Sequence, residues 1–513
     1  MNAASAPLRL AAASVLAAIG GLLHTASFAP VNAWPLQILG LLLLALALDA
    51  APVRRAAWLG WLFAFCWLGS GFWWLFISIY RFGGIDAPVA AAAVALLAAA
   101  LALYYALAAA LWAAARATRP AAASNALVFA ACWLLAELAR GVLFTGFPWI
   151  SGGYAHTDGP LAAWAPWIGV YGIGALAAWL AAATAAAWRQ RALPSRAAVL
   201  ILLPLAVTSV GLALPGQFTR STGLLSVTLL QSNVAQDVKF EPAHIERVLR
   251  WHREALTAAR GALVLTPESS IPLPLGFIDG PTLAALRAPF AQGDRAALVG
   301  IFTGSDATGY TNSVVGLSAA SDPASGAYYR YGKRHLLPFG EFIPPGFGWF
   351  VRAMSIPIGD QERGQSIEPL VVAGQRVRPL ICYEDLFAED IVDSLIGGGA
   401  ATVLANTTNL AWFGAAMVQD QHLQFSRMRA LELQRPIVRA TNTGATAVVD
   451  HRGRVSARLP PLIEGALEAS VEGRIGATPY ARWLAAWGLW PLALLAAAIV
   501  GAAAVLRRRK ATP

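Results

Sequence analysis

RVRPLICYEDLF, residues 376–387, is the stretch that decides the fold of this chain. A strand-like run rich in Val, Leu and Ile ends at Cys382, and Tyr383, Glu384 and Asp385 follow it in place of further apolar residues. Functional residues of α/β domains sit at or just beyond strand ends. A lone cysteine closing a buried strand is ordinarily an inert apolar residue. Its titratable company here points to chemistry instead.

The pattern extends outward from this stretch. Strand-like runs recur at 224–231, 262–266, 296–302, 313–317, 376–382, 401–406 and 436–449, with helical stretches between them such as 242–260 and 418–434. That alternation predicts an α/β domain whose sheets are covered by helices. Two more polar residues fall where chemistry is expected: Glu268 after LVLTP, and Lys333 within YRYGKRHLLPFGEFIP. Attack on an ester carbonyl needs a thiol that loses its proton, a base to take it, and a cation or N–H donors for the developing oxyanion. Cys382, Glu268 and Lys333 supply these three functions. His335 and His422 keep a Cys–His pairing open as a rival. No metal-ligand spacing stands beside them, and no metal or other cofactor is expected.

The rest of the chain is apolar. Of 513 residues, 57% are hydrophobic and 13% charged, too apolar for one water-soluble globule. The formal charge of +10 comes from 38 basic and 28 acidic residues. The basic residues sit singly or in short clusters beside apolar runs, which suits lipid headgroups and topology signals, and no basic stripe interleaved with aromatics suggests nucleic acid. Cys66, Cys132 and Cys382 are too scattered for a disulfide framework.

A hydrocarbon core about 30 Å thick needs roughly 20 apolar residues per helix. Runs of that kind lie near 8–28, 34–52, 56–79, 87–114, 122–143, 160–187, 196–214 and 484–506, which predicts eight transmembrane helices. The first run follows Arg9 without a small-residue cleavage site after it, and reads as a span and not a removed leader. Three domains are expected: a seven-helix membrane bundle over 1–222, a soluble domain over 223–480, and a last helix with a basic tail over 481–513. Arg9, Arg54 and Arg55, Arg116 and Arg119, Arg189, Arg191 and Arg196, and Arg507 to Lys510 mark every second connection. By the positive-inside rule both termini are then cytoplasmic and the soluble domain lies outside, in the periplasm.

Trp34, Trp73, Trp74 and Trp149 fall toward predicted outer ends, as interfacial anchors do. Glu137 and Arg140 lie three residues apart inside the fifth run. Such charges are costly in a span unless paired or facing a polar cavity, so they form either a packing ion pair or a polar wall where headgroups enter.

Glu268 in TPESSIP, Lys333 in YGKRHLLPFGEFIP and Cys382 in ICYEDLF together resemble the Glu–Lys–Cys triad of the nitrilase, or carbon–nitrogen hydrolase, superfamily. With the flanking spans, the whole chain resembles the apolipoprotein N-acyltransferase family. Further matches are GFPW at 146–149, QSNV at 231–234, AWFG at 411–414, QHLQ and RMRALELQRPIVRATNTG within 421–444, and TPYAR at 478–482. The resemblance implies an αββα sandwich and a ping-pong acyl transfer. Cys382 would take the sn-1 acyl chain of a phospholipid, typically phosphatidylethanolamine, as a thioester. The α-amine of a diacylglyceryl-cysteine apolipoprotein would then accept it, in a multi-pass protein of the bacterial inner membrane. It implies Glu268 as base, Lys333 as oxyanion stabiliser, and Glu341, Tyr383 and Glu384 as further necessary residues. Phe240 stands where the family usually has tryptophan, and Leu410 where it commonly has aspartate.

Phe240, Phe339, Trp412 and Arg140 are the candidates for substrate binding or gating. Phe339, Phe342, Phe347, Trp349 and Phe350 would cover an acyl chain or pack in the core, and 339–358 is the candidate lid that keeps water from a thioester. Two rivals stay open: a membrane-tethered amidase that uses the same triad on small amides, and a transporter or scaffold without catalysis.

Overall fold

A computed structural model describes residues 8–116, 122–189, 202–239, 241–322, 325–344, 346, 348 and 360–511. The chain divides into two compact units, Met1–Phe76 with Asp86–Gly216 and Ala486–Pro513, and Ile77–Ile85 with Gln217–Ala485.

The first unit is helical: Leu10–Ala26, Pro35–Ala47, Val53–Gly71, Ala87–Ala115, Ala122–Val142, Ala165–Arg189, Leu203–Ala213 and Trp490–Ala511. Small residues let backbones touch. A Cβ on Gly40 would lie 2.5 Å from the Gly20 carbonyl oxygen, so the first two helices cross in direct backbone contact. Arginines close one end of the bundle. Arg116 donates to the carbonyls of Leu48 and Ala51, Arg189 to Ala45 and Leu46 while pairing with Asp49 at 2.7 Å, and Arg507 to Ala113 and Ala114. Each cation thus meets the carbonyl-rich end of a helix. Arg55 donates to the Leu8 carbonyl, so the first helix begins at the same end where the last one finishes.

The expectation of eight transmembrane helices is corrected. Among the described residues four helices are long and apolar enough to cross a membrane, at Ala87–Ala115, Ala123–Thr145, Pro160–Arg189 and Trp490–Arg509. A fifth exists only if Val53–Gly71 and Leu75–Phe82, bent by 60°, form one span. Leu10–Ala26, Pro35–Ala47 and Leu203–Ala213 are apolar but have 17, 13 and 11 residues. At 1.5 Å per residue, a 13-residue helix reaches about 20 Å, short of a core about 30 Å thick. Apolar composition runs on through turns where the helix does not. The run 34–52 stops being helical at Ala47, with Ala50 left-handed at φ 51° and Pro52 two residues on. In the seventh run, residues 196–201 lie outside the described residues, as do Arg119, Arg191 and Arg196.

Among the described residues the second unit carries twelve strands. They are β1 (Thr219–Gln231), β2 (Leu263–Leu265), β3 (Ala296–Ser305), β4 (Gly309–Ser318), β5 (Tyr329–Gly332), β6 (Leu370–Val372), β7 (Gln375–Ile381), β8 (Val403–Thr408), β9 (Ile437–Thr441), β10 (Ala447–Val449), β11 (Val455–Arg458) and β12 (Gly465–Gly476). They form two six-stranded sheets, β12-β1-β2-β3-β4-β5 and β11-β10-β9-β8-β7-β6. The inner faces meet in one core, Leu225, Val227, Leu229, Leu263 and Leu265 from one sheet against Val377, Ile381, Val403, Ala405 and Val438 from the other. The alternate residues of the first sheet, Leu230, Val264, Val299 and Val315, face outward onto Leu256 and Leu286. The helix Pro242–Ala258 starts on a proline at its first position and buries Val248, His252 and Leu256, four apart on one face. The helix Val418–Leu433 is buried almost throughout and lies against the second sheet. Layers therefore run helix, sheet, sheet, helix. Strands β1-β2-β3 and β7-β8-β9 are parallel, so the loops that follow β2, β7 and β8 leave each sheet at its carboxyl edge.

Candidate active site

Glu268 follows β2, Lys333 follows β5, and Cys382 opens the turn after β7. The topology brings the first two into contact, with the Lys333 ammonium 3.3 Å from one oxygen of Glu268 and 2.8 Å from Glu341. Glu268, Lys333 and Glu341 are all buried. Asn312 on β4 donates its amide N–H to the same two carboxylates, at 2.8 and 3.1 Å. The second oxygen of Glu268 accepts the Asn409 backbone N–H at 2.9 Å, and the second oxygen of Glu341 accepts that of Leu337 at 2.8 Å. One ammonium therefore sits between two carboxylates whose remaining lone pairs are also engaged. That is the condition under which buried charges persist. Burial opposes the charge on Lys333, yet Glu341 and Glu268 outweigh it and hold the ammonium well above the ordinary lysine range. Lys333 is a fixed cation.

Cys382 is a non-glycine residue at φ 51°, a left-handed conformation that costs of order 1–3 kcal/mol and persists only where surroundings enforce it. Part of that enforcement is visible. Asn406 Nδ2 donates to the Cys382 carbonyl at 3.2 Å, and Glu384 pins the turn from below. The Glu384 carboxylate accepts the Ile381 N–H at 2.7 Å, the Arg334 N–H at 2.6 Å, the His335 N–H at 3.3 Å and the Tyr331 hydroxyl on both oxygens. One buried carboxylate thus joins the thiol's turn to the loop that carries Lys333. Burial pushes the Cys382 thiol well above its usual range, with Glu268 adding to the rise and Lys333 opposing it. These influences favour the neutral thiol, so an attack by this sulfur would require its proton to leave as the bond forms.

Residues 20–183 match the family model "Apolipoprotein N-acyltransferase N-terminal domain", and residues 227–480 match "Carbon-nitrogen hydrolase". The apolipoprotein N-acyltransferase of Verminephrobacter eiseniae is 48% identical, over 89% of this chain and 89% of that protein. That of Ralstonia nicotianae is 48% identical, over 99% of this chain and 96% of its own. The chain belongs to the apolipoprotein N-acyltransferase family. Among solved structures, a CN-hydrolase superfamily protein from Xanthomonas campestris is 19% identical, with a TM-score of 0.34, over 52% of this chain and 96% of that one.

The other residues singled out in this family member are dispersed. Tyr383 is buried and packs edge-on against Phe387, 5.1 Å between ring centres. Arg140 lies in the first unit, 1% exposed, and spends its donors on Tyr105, Ser151 and the carbonyls of Phe147 and Trp149, with Glu137 3.6 Å away. That geometry braces the 147–151 segment. Trp412 is 38% exposed on the loop after β8 and meets the Phe82 ring edge-on at 5.4 Å. Phe339 is left-handed at φ 60° and 36% exposed. Phe240, Phe347, Trp349, Phe350 and most of the 345–358 part of the candidate lid lie outside the described residues.

Both rival histidines are engaged elsewhere. His335 pairs with Asp390 at 2.9 Å and stacks on Phe387. His422 presents Nδ1 to Arg439 at 2.8 Å, and an arginine only donates, so that nitrogen is an acceptor. Burial, then Arg439, lowers the His422 pKa well below the usual imidazole range, which keeps the ring neutral.

Sequence reasoning missed Asn312, Asn406 and Asn409. The polar run NTTN at 406–409, where an apolar strand ends, was the available signal for the last two. Asn312 had none, because it lies within a strand and only pairing with β5 carries it to Lys333, whose N–H donates to the Asn312 carbonyl at 2.8 Å.

Proposed function

We propose that this protein transfers an acyl chain from a phospholipid, through a thioester on Cys382, to the N-terminal amine of a diacylglyceryl-cysteine apolipoprotein. The observation that carries the reading is the thiol at the end of β7 in a domain where Lys333 is locked between Glu268 and Glu341, in a chain of this family.

In the first step Glu268 takes the thiol proton as sulfur attacks the sn-1 ester carbonyl. Lys333 receives the developing oxyanion, and Glu341 keeps that ammonium in place. Collapse breaks the C–O bond, and the lysophospholipid oxygen leaves with the proton from Glu268. In the second step the lipoprotein α-amine attacks the thioester and gives its proton to Glu268. The C–S bond breaks, and the sulfur recovers the proton. Tyr383 and Glu384 serve by holding the turn. Phe240, Phe339, Trp412 and Arg140 are assigned to the acyl chain, the headgroup or the gate, with 339–358 as lid. Phosphatidylethanolamine is the donor of this reading.

The membrane bundle has a physical rationale. Drawing an acyl chain into water costs about 0.8 kcal/mol per CH2, and a site at the lipid boundary avoids that. The arginines gathered at one end of the bundle, where the first helix begins and the last one ends, support cytoplasmic termini and a periplasmic catalytic domain over 223–480.

The test is intact-protein mass spectrometry after incubation with phosphatidylethanolamine. A hydroxylamine-labile fatty-acyl adduct on wild type and none on Cys382→Ala is expected. An accessible lipid that leaves wild type unmodified, while small amides are hydrolysed, would overturn the proposal in favour of a tethered amidase.

A further inference from the structure

Behind the thiol lies a buried polar group that the proposed mechanism does not use. Asp385 shares the short helical turn Cys382–Leu386 with the thiol and is fully buried. One of its oxygens accepts from Arg439 Nη1 on β9 at 2.9 Å and from the Ser426 hydroxyl of the helix Val418–Leu433. Arg439 also donates to Ser426 and, through Nη2, to His422 on the same helix, and is itself fully buried. Among the described residues, the other Asp385 oxygen, buried as well, has no hydrogen-bond partner. A buried carboxylate satisfied on one side only is an expensive element to place beside a nucleophile unless its charge serves there.

We propose that the Asp385–Arg439 pair, buttressed by Ser426 and His422, is a positioning device for Cys382 that fixes the nucleophile's turn and sets the charge behind its sulfur. The charges facing Cys382 are the carboxylates of Glu268, Glu341 and Asp385 and the cations of Lys333 and Arg439. Those facing Asp385 are Arg439, Arg429 and the neutral His422. The first of these groups is one negative charge in excess when all are ionised, and Asp385 is the carboxylate that supplies it from behind. Burial raises the Asp385 carboxyl to about 6 against the opposing pull of Arg439, so its charge is present at neutral pH. The free enzyme's thiol thereby stays protonated until a substrate carbonyl arrives, which protects a lone reactive sulfur from stray electrophiles.

The inference rests on Cys382 being the nucleophile, but its test reads the thiol and not acyl transfer, so the two fail separately. Iodoacetamide alkylation of the full-length protein in detergent is followed against pH, with the modified peptide containing Cys382 resolved from those of Cys66 and Cys132. Asp385→Asn keeps the shape and removes the charge, and at pH 8 it is expected to alkylate about tenfold faster, the equivalent of one pKa unit. Arg439→Gln moves the profile the opposite way, and Arg439→Lys restores the wild-type side. Ser426→Ala takes a donor from the same carboxylate and, at pH 7, moves the profile in the same direction as Asp385→Asn but less far. It carries the test if Asp385→Asn lacks a cooperative thermal transition. Profiles that superimpose on wild type, with or without a lower Tm, assign the pair a purely structural role and overturn the proposal.

Discussion

The Tyr331 hydroxyl donates to both oxygens of Glu384, at 2.9 and 2.8 Å, and so ties the last strand before Lys333 to the turn of Cys382. Tyr331 and Glu384 come from different sheets, β5 being in the first and Glu384 following β7 in the second. Their bond therefore sets the spacing of cation and thiol.

Glu384→Gln presents an amide NH2 to backbone N–H groups that need an acceptor. The cost is about 1–3 kcal/mol for each buried donor left unsatisfied, with a lower Tm and slower acylation in a mass-spectrometric time course. Tyr331→Phe removes one donor and leaves the carboxylate's backbone partners in place, so its loss should be about 1 kcal/mol. Equal effects from the two variants would mean that the backbone contacts contribute nothing.

Asn312→Leu removes the amide that Glu268 and Glu341 share while roughly keeping its volume. Glu268 retains Lys333 and the Asn409 N–H, so the fold should survive with a Tm loss of a few degrees. The acylation rate should fall by about 10- to 100-fold with little change in the lipid concentration for half-saturation, the pattern of a contact that orients a reacting group. A rise in that concentration alone would place Asn312 in lipid binding.

Lys239 is buried with its ammonium 3.5 Å from the Glu268 carbonyl oxygen, and burial lowers its pKa to about 8 against the pull of Glu268. Below pH 8 both folded and unfolded chains hold the proton, and the fold bears the full cost of burying the charge. Between pH 8 and roughly 10.5 the unfolded chain binds the extra proton, so Lys239 makes stability rise with pH, by a total on the order of 3 kcal/mol. Lys239→Met should lack that rise and exceed wild type in Tm at pH 7. Parallel Tm–pH curves for the two proteins would exclude the assignment.

Trp412→Ala removes a half-exposed ring that rests on Phe82. Its Tm should shift by less than about 2 °C, whereas the donor concentration giving half-maximal acylation should rise several-fold, and Trp412→Phe should recover most of the loss. An unchanged half-saturation would remove Trp412 from the substrate path.

The strand before Cys382, predicted over 376–382 and found as Gln375–Ile381, was legible because a buried strand writes a short apolar run that ends abruptly in polar residues. The helix predicted at 418–434, found as Val418–Leu433, and the three residues Glu268, Lys333 and Cys382 could be picked out for the same local reason: each stands where an apolar pattern breaks. Helix length in the membrane unit was not legible, because apolar composition continues through the turns at Ala50 and Phe72 while the hydrogen-bonded helix stops.

By itself, then, the sequence determined the element pattern, the arginine asymmetry and the three chemical residue types, since these depend on local periodicity and composition. Only the tertiary structure decided that Lys333 lies between two carboxylates and not one, that Asn312 bridges them, and that His422 serves Arg439. It alone paired Asp385, in the turn that Cys382 opens, with Arg439. Those relationships join residues up to 65 positions apart, across two sheets and a helix. Their charge balance exists only when burial removes water from between them, and no local pattern in a chain encodes which distant groups will share one dry site.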